Sequence, residues 1–334
     1  MQQQGTDRPV DKGLAKKRTA AEEETAVFHL FAGAAAGLFS DGVVHPIDTC
    51  RTRLQVQRGS GPSLVYKNTW DTFTQIIRHE GWRSLYKGFP VVAAFTVPAH
   101  ALYFGSYEAT KRLLRPNTPL EEKGPFVHFT GGVVADIAGA LVWTPQDVIK
   151  QRLQVQRNSM KGAAETGGKS GGEASVPQVK YRGSWHCMMT IVREEGFRAL
   201  WTGFGAGLAV YCPFVGIYFV AYEHAKLQMK KWYGLPSVDD LSLPHQFVGG
   251  AYAGAVAAAV TGPLDVIKTR IQVGSEYKGW MDAARQIAKQ EGISAFAKGM
   301  GARVLWISNA TALTIAAYEQ IKKAMRLFGD SGKS

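Results

Sequence analysis

Cysteine is scarce in this chain. There are three in 334 residues (Cys50, Cys187 and Cys212), none in a CxxC pair, which excludes a disulfide framework and a zinc ribbon. Acidic residues fall short of basic ones, 27 against 39, so the chain carries a formal charge of +12. That balance suits a nucleic-acid binder or a protein beside anionic lipid, but no groove-reading motif accompanies it. Long Leu-rich runs are missing, because hydropathy averages close to zero. The N-terminal 26 residues mix Lys16-Lys17-Arg18 with Glu22-Glu23-Glu24 and hold no apolar core. They read as neither a secretory signal nor a transit peptide. No nucleophile–base–acid constellation stands out, which disfavours an enzyme. Prolines are few (14) and hydrophobic residues make up 46% of the chain, too many for a disordered protein.

What the chain does contain is a repeat. Pro46-x-Asp48-x-x-Arg51, Pro145-x-Asp147-x-x-Lys150 and Pro263-x-Asp265-x-x-Lys268 are three copies of one pattern. Each continues with an arginine and a glutamine: Arg53 and Gln55, Arg152 and Gln154, Arg270 and Gln272. Farther on come Glu-Gly pairs (Glu80-Gly81, Glu195-Gly196, Glu291-Gly292) and second glycines at Gly88, Gly203 and Gly299. Each third then carries Tyr-Glu-x-x-Lys: Tyr107, Glu108 and Lys111; Tyr222, Glu223 and Lys226; Tyr318, Glu319 and Lys322. Equal offsets in all three thirds define one unit used three times. The chain divides into an N-terminal tail 1–26 and repeats 27–120, 121–238 and 239–334. The middle repeat is lengthened by a Gly/Ser/Lys-rich loop insertion at about 158–180. Gly167-Gly168-Lys169-Ser170 within it lacks the leading glycine and the preceding strand of a phosphate-binding loop, and reads as linker.

Each third holds two stretches free, or nearly free, of charge. Phe89–Tyr107, Thr202–Tyr222 and Leu241–Leu264 are clearest, each about long enough to cross ~30 Å of hydrocarbon. Val27–Ile47 and Phe126–Gln146 are interrupted by Asp41 and Asp136, and Val304–Tyr318 is short. Small residues at three- and four-residue spacing, as in Ala32-Gly33 through Gly37, suit close helix packing in lipid. Between the paired stretches, Tyr66–Glu80, Trp185–Glu195 and Trp280–Glu291 show the periodicity of short amphipathic helices at the membrane surface. The expected fold is an all-α membrane protein: six transmembrane helices in three tandem pseudo-symmetric repeats, with short surface helices between.

Threefold Pro-x-Asp-x-x-Lys/Arg followed by Glu-Gly and aromatic-basic-Gly resembles the mitochondrial carrier family over about residues 27–327. The third element is intact at Tyr86-Lys87-Gly88, has Thr202 for the basic residue in the second copy, and has Ala297 for the aromatic in the third. Asp and the base three residues later share a helical face, and intramembrane charges are costly unless paired. The resemblance implies a matrix gate of Asp48–Lys150, Asp147–Lys268 and Asp265–Arg51, braced by Gln55, Gln154 and Gln272. It implies a cytosolic gate of Glu108–Lys226, Glu223–Lys322 and Glu319–Lys111, with Tyr107, Tyr222 and Tyr318 alongside. It also implies a monomeric, multi-pass inner-membrane carrier without a cofactor, with cardiolipin bound near Gly88, Gly203 and Gly299.

The family's substrate contact points fall on Phe95, on Val210-Tyr211 and on Trp306, all uncharged. An anionic substrate would want a countercharge there. Asp41 and Asp136 add intramembrane carboxylates, which are functional candidates by default. The expected substrate is therefore a small cation. Pro98-Ala-His100-Ala-Leu-Tyr103-Phe104 and Cys212-Pro213-Phe214 are similar to the mitoferrins, the iron carriers of the family. His100, with Asp41 and His45, would then offer transient contacts to Fe(II). The mitoferrin-like histidines of the first and fourth helices are Gly42 and Tyr218 here. Asp41, Asp136 and Ile307-Ser308 resemble the S-adenosylmethionine carriers, the alternative reading, where aromatics could hold a sulfonium and stack an adenine. Magnesium or another cation as the substrate, and a carrier-like receptor that transports nothing, are the remaining alternatives.

Overall fold

A computed structural model describes residues 35–58, 66–114, 125–156, 181–238, 241–274 and 277–331, with side chains as far as residue 317. The tail 1–26, the insertion at 158–180, and the side chains of Tyr318, Glu319 and Lys322 lie outside the described residues. The described secondary structure is helical throughout. Each repeat runs long helix, short helix, one 3-10 turn, long helix. The first contains α1 (35–56), α2 (Thr69–Glu80), a turn at Trp82–Tyr86 and α3 (Phe89–Leu114). The second contains α4 (Pro125–Val155), α5 (Ser184–Glu194), a turn at Phe197–Trp201 and α6 (Phe204–Tyr233). The third contains α7 (Leu243–Val273), α8 (Trp280–Glu291), a turn at Ile293–Ala297 and α9 (Met300–Ser331).

Local chemistry sets these boundaries. Asn68 caps α2 by accepting from the Asp71 amide, satisfying one of the first-turn donors. Gly81, Gly196 and Gly292 follow the short helices at positive φ and turn the chain towards the second long helix of each pair. Gly203 and Gly299 begin those helices at φ +80° and +73°. A Cβ there would stand 2.9 Å from Cγ of Gln272 and Gln55 respectively. Both the conformation and the close approach require glycine.

Among the described residues, three spans are long and apolar enough to cross a membrane by length and composition: Trp82–Leu114, Phe197–Tyr233 and Pro244–Val273. They coincide with the three clearest charge-free stretches. Large apolar side chains on these helices face outward, including Phe104, Phe219, Val220 and Val248. A soluble surface rarely shows such a band, but hydrocarbon accepts it.

Each short helix packs under its own repeat. Cys50 of α1 sits against Ile76 and Leu85. Val148 and Ile149 of α4 sit against Cys187 and Ile191, and Ile267 and Ile271 of α7 against Ala283 and Ile287. The equivalent isoleucines Ile76, Ile191 and Ile287 are each 1% exposed, and burying such a side chain contributes about 1.5–3 kcal/mol. Trp70 and Trp185, near the start of α2 and α5, instead point outward, as amphipathic rings do at a membrane interface.

The repeats close on one another. Val56, Val155 and Val273 each lie ten residues beyond the motif proline of their repeat, and they form a single buried cluster. Three equivalent residues can touch mutually only around a common axis. That contact plugs the end of the bundle where α1, α4 and α7 finish.

Candidate functional site

Immediately above the valine plug lies a ring of charge. Lys150 Nζ is 3.2 Å from Asp48, and Lys268 Nζ is 2.7 Å from Asp147. Arg51 donates to Asp265 through Nε at 3.0 Å and also through Nη2. These three pairs join the first repeat to the second, the second to the third and the third to the first. Two of the bases also lie beside an acid of their own repeat: Arg51 with Asp48 at 3.0 Å and Lys150 with Asp147 at 3.6 Å. Asp48 and Asp265 are almost wholly buried. Ions so placed are tolerable only when paired and hydrogen-bonded.

Two glutamines complete that bonding. Gln154 Nε2 donates to Asp48 at 3.1 Å, while Thr52 donates to Gln154 Oε1 at 2.9 Å. Gln55 Nε2 donates to Asp265 at 2.7 Å, and Thr269 donates to Gln55 Oε1 at 2.9 Å. Gln272 is equally buried, yet neither its amide nitrogen nor its side-chain oxygen has a partner.

An outer layer of links holds the same end. Arg53, Arg152 and Arg270 each pair with the glutamate that closes the short helix of their own repeat: Glu80, Glu195 and Glu291. Their Nε groups donate to the backbone carbonyls of Gln154, Gln272 and Gln55 in the next repeat. Lys87 and Lys298, the bases of the aromatic-basic-Gly element, donate to the carbonyls of Gln156 and Gln57. They also pair with Glu80 and Glu291. From sequence these residues are seen to recur; the arginines and glutamates have no role there, and the aromatic-basic-Gly bases only an expected lipid contact. The signal that could find them is the constant pairing of a second base with Glu-Gly in every third. Arg303, which the sequence places near the matrix end but not in the gate, is 3% exposed and stands 2.9 Å from Asp265.

At the opposite end the described glutamates pair locally. Glu108 pairs with Lys111 at 3.1 Å and Glu223 with Lys226 at 2.6 Å, each within its own helix. These two glutamate side chains are 52% and 59% exposed, against 4% for Asp48 and Asp265. Two of the cross-repeat pairs expected here involve Glu319 or Lys322, whose side chains lie outside the described residues. The aspartate ring is closed by buried pairs between repeats, whereas Glu108 and Glu223 stand exposed beside bases of their own helices.

Between the rings, the sequence-predicted residues separate into two sets. Trp306 roofs the aspartate ring, with the Arg51 guanidinium 4.8 Å from its ring centre. Tyr211 is exposed, whereas its neighbour Val210 is buried and Phe95 packs on the core between the first two repeats. Asp136 has a buried carboxylate oxygen with no hydrogen-bond partner and lies within electrostatic reach of the Tyr103 and Tyr211 hydroxyls. Asp41 lies within electrostatic reach of Lys150, Asp48 and His100. His100 Nδ1 hydrogen-bonds the Thr96 carbonyl at 2.8 Å, and its ring meets Trp143 edge-on. His45 is fully buried; Nε2 bonds the Lys87 carbonyl at 3.1 Å and the ring packs between Tyr86 and Phe89. It serves the helix junction, where the Lys87 carbonyl and the two aromatic rings occupy the imidazole. Among the described residues no three His, Cys, Asp or Glu side chains converge as metal ligands would.

Three equivalent helical repeats locked at one end by a ring of buried ion pairs between them have the form of a membrane solute carrier. The family described as mitochondrial carrier protein matches residues 22–118, 121–232 and 239–328, and this chain belongs to it. It is a multi-pass protein of the mitochondrial inner membrane. Mitochondrial substrate carrier family protein E of Dictyostelium discoideum is 46% identical, over 90% of this chain and 97% of its own length. S-adenosylmethionine carrier 1, chloroplastic/mitochondrial, of Arabidopsis thaliana is 33% identical over 88% of this chain and 78% of its own. The mitoferrin of Dictyostelium discoideum is 30% identical over 88% and 92%.

Proposed function

We propose that this carrier moves a small cationic solute by alternating access, and that the cation is organic rather than a bare metal ion. The observation that carries this reading is the unpartnered Asp136 oxygen, within electrostatic reach of Tyr103 and Tyr211. A carboxylate among aromatic rings attracts a sulfonium or ammonium group without needing convergent ligands. S-adenosylmethionine has that chemistry, and its name stands on a relative at 33% identity. Fe(II), the first expectation from sequence, keeps one favourable observation: His100 and Asp41 lie within electrostatic reach of each other. His45 leaves that ligand set, which weakens it.

Transport then follows from the geometry. A solute entering at the glutamate end meets Asp136, Asp41 and finally Trp306, whose ring rests on the gate residue Arg51. Contact there offsets the cost of separating Arg51 from Asp265, and the bundle opens at its other end. The glycines at 88, 203 and 299 leave backbone amides at the starts of α3, α6 and α9, where an anionic lipid such as cardiolipin would sit. The chain would act as a monomer.

Reconstitution in liposomes with labelled S-adenosylmethionine and labelled Fe(II) in parallel tests the proposal. Saturable S-adenosylmethionine uptake, lost in Asp136→Asn and kept in His100→Ala, is the expected result. Iron uptake lost in His100→Ala would replace it with the iron reading. Uptake of neither probe would mean a receptor-like role.

A further inference from the structure

The three seams between repeats should be equivalent at the closed end, and they are not. At the seam of repeats three and one, Asp265 receives Arg51 and Gln55 and also holds Arg303 of its own repeat. Thr269 completes the glutamine, and the carbonyls of Gln55 and Gln57 accept from Arg270 and Lys298. At the seam of repeats one and two, Asp48 receives Lys150 and Gln154, Thr52 completes the glutamine, and Arg53 and Lys87 reach the carbonyls beyond.

At the seam of repeats two and three the equivalent links thin out. Lys268 meets Asp147, and Arg152 donates to the Gln272 carbonyl at a long 3.3 Å. Two substitutions within the repeat account for the difference. Gln151 stands where the other repeats have Thr52 and Thr269. Its longer side chain leaves its own Oε1 and both side-chain polar atoms of Gln272 buried and unpartnered. Thr202 stands where the others have Lys87 and Lys298, so no amino group spans from the start of α6 to the end of α7. The Asp147 side chain is 21% exposed, against 4% for Asp48 and Asp265.

We infer that Gln151 and Thr202 are positioning residues for the transport step: they make the seam between the second and third repeats the one that parts first when the aspartate gate opens. Three buried polar atoms without partners raise the energy of the closed state at that seam alone. The other two seams, each braced, move as one body. Asp265 keeps Arg303 when Arg51 departs, so its repeat bears the opening without an orphaned carboxylate. This inference rests on the carrier reading above, but its first readout does not depend on any substrate.

The test uses the full-length chain in liposomes, with spin labels paired among the equivalent exposed positions Trp82, Phe197 and Ile293. The Phe197–Ile293 distance should be the most broadly distributed of the three, and Q151T with T202K should narrow it. The shorter hydroxyl side chain introduced by Q151T would donate to Gln272 and free its amide to brace Asp147. The same double variant should slow uptake of labelled S-adenosylmethionine by about tenfold, the cost of roughly 1.4 kcal/mol of added closed-state stability. Q151S should behave like Q151T, and Q151A should not. Equal breadth across all three pairs, or a breadth unmoved by Q151T with T202K, would overturn the inference. Failure to move S-adenosylmethionine would instead count against the substrate reading and leave the distance result to decide the seam.

Discussion

The side-chain amide of Gln55 donates to Asp265 at 2.7 Å, whereas the side chain of Gln272, its counterpart two repeats on, bonds nothing. The contrast predicts opposite responses to one substitution. Gln55→Leu strips Asp265 and Thr269 of a partner and should lower closed-state stability by about 1–3 kcal/mol. Gln272→Leu removes only unsatisfied atoms and should be neutral or mildly stabilising. Thermal denaturation of the two variants in detergent, side by side, checks this.

The aspartate ring should tolerate exchange of charge but not its loss. Asp48→Lys alone buries like charges beside Lys150 and should abolish transport; breaking a buried pair costs roughly 3–5 kcal/mol. Combining it with Lys150→Asp restores an opposite pair and should recover part of the uptake. Initial rates in liposomes measure both.

Glu291, at the end of α8, lies below the ordinary glutamate range. Burial opposes its charge, but hydrogen bonds from Arg270 and Lys298 outweigh that. A depressed carboxylate adds stability above its unfolded value, and that stability is lost as pH falls through the folded one. The melting temperature should therefore drop as pH falls below about 4.5. Glu291→Gln should lower it at neutral pH and flatten the acid limb.

Cys187 sits wholly buried on α5, and burial pushes its thiol up to about 12. A thiol so placed is a poor nucleophile. Maleimide should leave Cys187 unmodified in the folded protein at neutral pH and react with it after denaturation. Peptide mass spectrometry before and after unfolding distinguishes the two.

Much of the architecture was legible because symmetry amplifies a weak signal. One Pro-x-Asp-x-x-Lys is unremarkable; three at matched offsets place Asp48, Asp147 and Asp265 in one ring, and the structure pairs them as expected. The same symmetry hides the departures. Gln151 for threonine looks conservative in one dimension, but its effect depends on a glutamine 121 residues away. Arg303 has no counterpart in the other repeats, so no pattern points to it. His45 suggests a partner of Asp41 because they lie one turn apart on α1; what the spacing does not reveal is that the Lys87 carbonyl and two aromatic rings engage the imidazole. Of the glutamate ring, Glu108 and Glu223 pair within their own helices, while Glu319 and Lys322 lie outside the described side chains.

Contact among Val56, Val155 and Val273 is the tightest statement of the threefold closure. The most direct measurement is oxidative cross-linking of cysteines placed pairwise at these positions, in a chain freed of its three native cysteines. All three pairs should form disulfides at high yield, and each should arrest transport until reduced. Absence of cross-linking between any two of the positions, or transport undiminished once they are joined, would contradict the account.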